Sequence, residues 1–336
     1  MNPELLRTTS LGLLFAALQP LASRGQGRME KVYDPLSVPR DIRIQHLDLN
    51  MRDDARSRDI PLRIYLPAQQ GARPVVLFSH GLGGTRLGCA YMGEHWAARG
   101  YVAVFLQHPG SDDSVWKNAA FGQWMAAMQQ AASLRNFELR VVDVRSVLSQ
   151  LEAWNKDAHH PLSGRLDMKH VGMSGHSFGA VTTQAVSGEA FRLVGTRLTD
   201  PRIKAAIAFS PSGARGGESA ANPFGSVKIP WMLMTGTRDT APIGGMDVAS
   251  RLGVFPALPP GDKYEVVLYN AEHSAFVDGP LPGDQEARNP NHHRVILALS
   301  TAFWDAYLRD DTAALAWLKG AGPHQILEEK DVWKTK

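Results

Sequence analysis

The chain has 336 residues, 44% hydrophobic and 21% charged, which excludes a disordered or fibrous protein and suffices for one large core. Its formal charge of +3, from 36 Lys and Arg against 33 Asp and Glu, is spread without a dense basic run, so nucleic acid and anionic membranes are poor partners for it. The one cysteine, Cys89, excludes an intrachain disulfide and any multi-cysteine metal site.

At the N-terminus, Arg7 precedes an apolar stretch from Leu11 to Leu18, followed by Pro20, Ala22, Ser23 and Gly25. This reads as a signal peptide over residues 1–25 with a linker over 26–40, which predicts a secreted or periplasmic protein. Glu4 and the lack of a clean A-x-A speak for the alternative, an N-terminal helix that stays attached to a cytoplasmic protein. The stretch is too short to span a bilayer, and nothing later in the chain reads as transmembrane.

From Asp41 the chain alternates strand-like and helix-like stretches, which predicts an α/β catalytic domain over 41–320 and a tail over 321–336. Ile42–Met51 and Ile60–Leu66 alternate polar and apolar residues around the charged turn Arg52–Asp59, the pattern of an antiparallel edge hairpin. Pro74–Phe78, Tyr101–Leu106, His170–Met173, Ile203–Phe209, Pro230–Met234 and Tyr264–Tyr269 are almost continuously apolar, as strands buried on both faces should be. The predicted sheet therefore has eight strands and is mostly parallel, with helices on both faces. Helices are predicted at Cys89–Arg99, stopped by Gly100, at Phe137–Trp154 and at Asn291–Leu308. The segment 109–135 between the second buried strand and the Phe137 helix reads as a small helical cap.

Gly175-His176-Ser177-Phe178-Gly179 follows one apolar run and opens a helix-like stretch, Ala180–Val186. Strand, sharp turn and helix are the context in which G-x-S-x-G holds a nucleophile, because the flanking glycines let strand and helix approach closely while the hydroxyl projects above the sheet. A hydroxyl needs a base oriented by an acid. Asp239, in the loop after Pro230–Met234, and His273, after Tyr264–Tyr269, stand at later strand ends in the required order. Asp247 and Asp278 are the alternative acids, and the bland readings are a turn aspartate and one more surface histidine among 12. Negative charge developing on a substrate oxygen needs fixed donors. The amide of Phe178 should supply one, and the amide of Leu82, in the loop Ser79-His80-Gly81-Leu82-Gly83-Gly84, the other. His80 precedes the nucleophile and is read as a residue that steadies this loop.

These segments, with Gly236-Thr237-Arg238-Asp239-Thr240-Ala241-Pro242 and Ala271-Glu272-His273-Ser274-Ala275-Phe276, resemble the branch of the α/β-hydrolase superfamily that contains platelet-activating-factor acetylhydrolases, dienelactone hydrolases and bacterial polyester hydrolases. The likeness runs from about Asp41 to Leu318. It implies an α/β-hydrolase fold and a serine esterase with Ser177, Asp239 and His273 as its triad. Dienelactone hydrolases differ in using cysteine as nucleophile. In the acetylhydrolases the acid follows the strand equivalent to Ile203–Phe209, where this chain has Ser210 and Pro211. Polyester hydrolases place the acid as Asp239 is placed but often carry a disulfide, which one cysteine cannot form.

Substrate contacts are expected from the cap. Phe121, Trp124, Met125 and Met128 recur at i, i+3, i+4 and i+7, one helix face, either an ordinary core stripe or the roof of an apolar pocket. Trp116 joins the same rim, and the Gly/Ser-rich stretch 212–226 should form a second wall. No metal-ligand spacing appears, since the adjacent pairs His159–His160 and His292–His293 point to different sides. The predicted chemistry requires no cofactor. The expected substrate is a neutral or lipophilic short- to medium-chain ester, small or polymeric. A polyester or phospholipid acyl hydrolase and a non-catalytic ligand-binding protein of the same fold are the alternatives.

Overall fold

Polar and apolar residues alternate through β1 (Ile44–Asp53) and β2 (Arg58–Pro67), which pair antiparallel from Ile44 opposite Pro67 to Asp53 opposite Arg58. The charged turn is tighter than predicted. Asp53 accepts a hydrogen bond from the Arg56 amide, and Ser57 takes a left-handed conformation, so the strands run into the turn from both sides. β3 (Arg73–Ser79), β4 (Val102–Leu106), β5 (Leu166–His176), β6 (Ile203–Phe209), β7 (Trp231–Arg238) and β8 (Lys263–Glu272) are the six apolar runs, in several cases extended at one or both ends. The order across the sheet is β1-β2-β4-β3-β5-β6-β7-β8-β9, with β3 to β8 parallel and both margins antiparallel.

The ninth strand corrects the predicted count. β9 (Val332–Thr335) lies within the expected tail and pairs antiparallel with β8. Four residues with a charge among them carry too little periodicity to mark a strand. It is docked instead by Trp333 stacking on Tyr264, ring centroids 5.6 Å apart, and by Lys334 pairing with the buried Glu265 at 2.7 Å.

The helices are α1 (Ala90–Ala98), α2 (Ser114–Lys117), α3 (Trp124–Ala131), α4 (Leu134–Lys156), α5 (Phe178–Ser187), α6 (Val248–Leu252), α7 (Val254–Ala257), α8 (Pro290–Leu308) and α9 (Thr312–Lys319). Their ends follow local chemistry. Ser133 caps α4 through the Asn136 amide, and Asn289 caps α8 ahead of Pro290. Side chains of the central strands alternate between two cores. Val76 and Phe78 of β3 face α1, α8 and α9, whereas Val75 and Leu77 face α4 and α5. Burial on both faces is why these strands read as continuous apolar runs.

The computed structural model describes residues 32–39, 42–213, 222–241 and 243–336. The predicted signal peptide lies outside them. Within the expected linker, Tyr33 and Leu36 pack on the core and the Tyr33 hydroxyl donates to Asp305 at 2.8 Å. No helix among the described residues is long and apolar enough to cross a membrane.

Candidate active site

Ser177 sits at the turn between β5 and α5 with φ 56° and ψ −115°, a conformation that L-residues rarely adopt and that the surroundings must enforce. They do so by close packing. A Cβ on Gly179 would lie 1.9 Å from the Ser79 carbonyl oxygen, and one on Gly175 would lie 2.3 Å from that of Gly179. Only glycine fits at either place. The Ser177 amide donates to Phe209 O at 2.9 Å, tying the turn to the end of β6. Ser177 therefore stands near the middle of the sheet, at the carboxyl ends of its parallel strands, where ligands bind in such folds.

β7 ends one residue before Asp239 and β8 one residue before His273. The two strands are neighbours, so the acid and the imidazole meet: His273 Nδ1 lies 2.7 Å from Asp239 Oδ1. Thr235 Oγ1 donates to the other carboxylate oxygen at 2.8 Å, and the Arg251 guanidinium is 3.2 Å from Oδ1. Burial alone would raise the Asp239 pKa. The hydrogen bond from His273 and the positive charge of Arg251 outweigh it and hold the carboxyl down at about 2. With Asp239 ionised, Nδ1 carries the proton and Nε2 is free to act as a base. The alternative acids are occupied elsewhere: Asp247 caps α6 through the Ser250 amide, and Asp278 accepts from the Ala90 amide at the start of α1.

The loop from Ser79 to Gly84 lies beside the turn because β3 and β5 are paired, Ser79 opposite Gly175. A Cβ on Gly81 would come within 3.5 Å of Ser177 Cβ. The Gly83 amide bonds Ser111 O and the Gly84 amide bonds Gly81 O, whereas the Leu82 amide has no acceptor among the described residues. Phe178 is the first residue of α5, so its amide is one of the four that a helix start leaves open. Both predicted oxyanion donors are thus amides with capacity to spare. His80 steadies the loop, its Nδ1 2.6 Å from Gly81 O.

Ser177, His273, Leu82 and Phe178 line one cavity of about 650 Å³. Trp124, Met125 and Met128 of α3 form one apolar wall, and Met246, Val277 and Leu281 lie among its other lining residues. Phe121 does not join them. Gly122, at φ 75°, breaks the chain out of the helical path before Trp124, so Phe121 falls outside the periodic face and is fully exposed. Trp116 is likewise not a lining residue. Its indole nitrogen donates to Gly83 O at 2.8 Å and braces the loop from outside. Ser212 lines the cavity, but most of the expected second wall, residues 214–221, lies outside the described residues.

Several contributors escaped the sequence reading. Arg251, on the short α6, joins the neighbourhood of Asp239 and His273 only through the fold, donating to Asp239 O, Ser210 O and Pro211 O. His176 donates from Nε2 to His273 O at 3.1 Å, and burial next to His273 keeps its imidazole neutral. Arg140 and Asp143 did leave a signal, two charges set among the apolar positions of α4, and both are fully buried. No group of three or more His, Cys, Asp or Glu among the described residues is arranged to hold a metal ion. The chain matches no protein-family model and no curated protein sequence.

Proposed function

We propose that the protein is a serine carboxylic-ester hydrolase of the α/β-hydrolase type, acting on neutral or lipophilic esters with Ser177, His273 and Asp239 as its triad. The observation that carries this reading is that a strained serine turn and His273, itself held by the buried Asp239, line one cavity.

In the reaction, His273 Nε2 takes the Ser177 proton as the oxygen attacks the ester carbonyl, and Asp239 holds the imidazole in the required tautomer. The Leu82 and Phe178 amides receive the developing oxyanion. The imidazolium then protonates the departing alcohol, and the acyl group remains on Ser177. Water, deprotonated by the same nitrogen, releases the acid and restores the hydroxyl. The methionines and Trp124 of the wall favour an apolar chain over a charged one.

The test is hydrolysis of p-nitrophenyl esters of increasing acyl length by the protein and by Ser177→Ala. Turnover should fall by about 10³-fold or more in the variant with folding intact. An alanine variant that keeps near-full activity would eliminate this triad.

A further inference from the structure

Arg140 is a fully buried cation that touches both the Ser79–Gly84 loop and the Phe178 ring. Its guanidinium carbon lies 4.4 Å from the ring centroid of Phe178. One end of the guanidinium, Nη1, donates to His80 O at 2.6 Å, and the other, Nη2, reaches Gly81 O at 3.4 Å and Ser111 O at 3.2 Å. Nε donates to Ser111 Oγ at 2.8 Å. No carboxylate pairs with it among the described residues. The acids whose field reaches it are committed elsewhere: Asp143 to Arg56, Arg58 and His108, and Asp112 to Gln107 and Ser114.

Two consequences follow. A trans peptide is planar, with its carbonyl and amide pointing in opposite directions. Holding Gly81 O on Arg140 and on His80 Nδ1 therefore turns the Leu82 amide the other way, away from both side chains. The His80 tautomer suits this, because its Nε2 accepts from the His108 amide at 3.1 Å, which leaves the proton on Nδ1. Second, a desolvated charge without a counter-ion acts strongly on its surroundings, since little solvent screens it. Burial pushes the Arg140 pKa down from 12.5 to about 9, yet the group stays charged at neutral pH.

We propose that Arg140 is a positioning residue for the oxyanion: it fixes the Gly81–Leu82 peptide and adds positive potential where the substrate oxygen gains charge. This rests on the hydrolase reading above. The test compares two ligands of equal length in wild type, Arg140→Met, Arg140→Lys and Ser177→Ala. Pentylboronic acid accepts the Ser177 oxygen at boron and becomes a tetrahedral anion as His273 takes the proton. Hexanamide binds uncharged.

Arg140→Met should weaken boronate binding by about 10²-fold while changing hexanamide affinity by no more than about twofold, and should lower kcat rather than raise KM. A variant in which both ligands weaken equally, or the boronate not at all, overturns the proposal. Should Arg140→Met fail to fold, Arg140→Lys decides. It keeps the charge, but its compact ammonium cannot span two carbonyls, and the boronate preference should drop by about tenfold. An unchanged preference overturns the proposal. A wild type that forms no Ser177-dependent boronate adduct overturns the hydrolase reading with it. An adduct whose preference survives both Arg140 variants overturns only the role of Arg140.

Discussion

Gly179→Ala tests whether the approach of α5 to the end of β3 is what the turn requires. The added Cβ would sit 1.9 Å from Ser79 O, 2.6 Å from Ser79 C and 2.9 Å from His80 O, all backbone atoms with no rotamer to escape into. To reach the 3.0 Å that real Cβ atoms keep, helix and strand must part by about 1.1 Å, enough to cost about 10²-fold in turnover when reacting groups are displaced. Helix propensity alone predicts the opposite sign, a gain of about 1 kcal/mol for alanine over glycine. Gly81→Ala is the intermediate case. Its Cβ would meet the His176 ring at 3.2 Å, a gap that a few tenths of an ångström of movement can absorb, and should cost about tenfold. Gly279→Ala is the control, with nothing within 4 Å of its Cβ. The assay is kcat/KM on one p-nitrophenyl ester, with thermal unfolding of each variant. If Gly179→Ala matches wild type in activity and melting temperature, the close-packing account of this turn is wrong.

Met128→Ala should widen the cavity and move the preferred acyl length upward, while Phe121→Ala, altering a fully exposed side chain, should leave the chain-length profile unchanged. A chain-length series run on both variants checks this, and a shift in the Phe121 variant alone would refute the wall assignment. His108 is buried and neutral, and burial, outweighing the Asp143 hydrogen bond, brings its pKa down from 6.5 to about 4. Between those values the unfolded chain binds a proton that the folded one does not, so stability falls as pH falls through that window. From pH 7 to pH 5 this amounts to about 2 kcal/mol, which His108→Gln should remove from the pH dependence of the urea midpoint. Parallel losses in wild type and variant would refute it.

The sequence by itself determined the alternating architecture, because strands buried on both faces must be continuously apolar and the helices between them must carry one apolar stripe. It also marked Ser177, Asp239 and His273 as the candidates for the proposed triad, since a G-x-S-x-G turn has a local glycine signature and the other two stand immediately after recognisable strands. What it left open depended on neighbours distant in the chain. That Asp239, and neither Asp247 nor Asp278, meets His273 follows from the adjacency of β7 and β8, a contact that spacing along the chain can suggest but not show. β9 holds its place by packing on Tyr264 and Glu265 rather than by any pattern of its own. Phe121 left its expected face because a single glycine redirected the backbone, a local event that a periodic count passes over. Arg140 and Arg251 gain their importance only where separate segments converge. A charge becomes influential when folding strips it of water, and desolvation is a property of the tertiary structure alone.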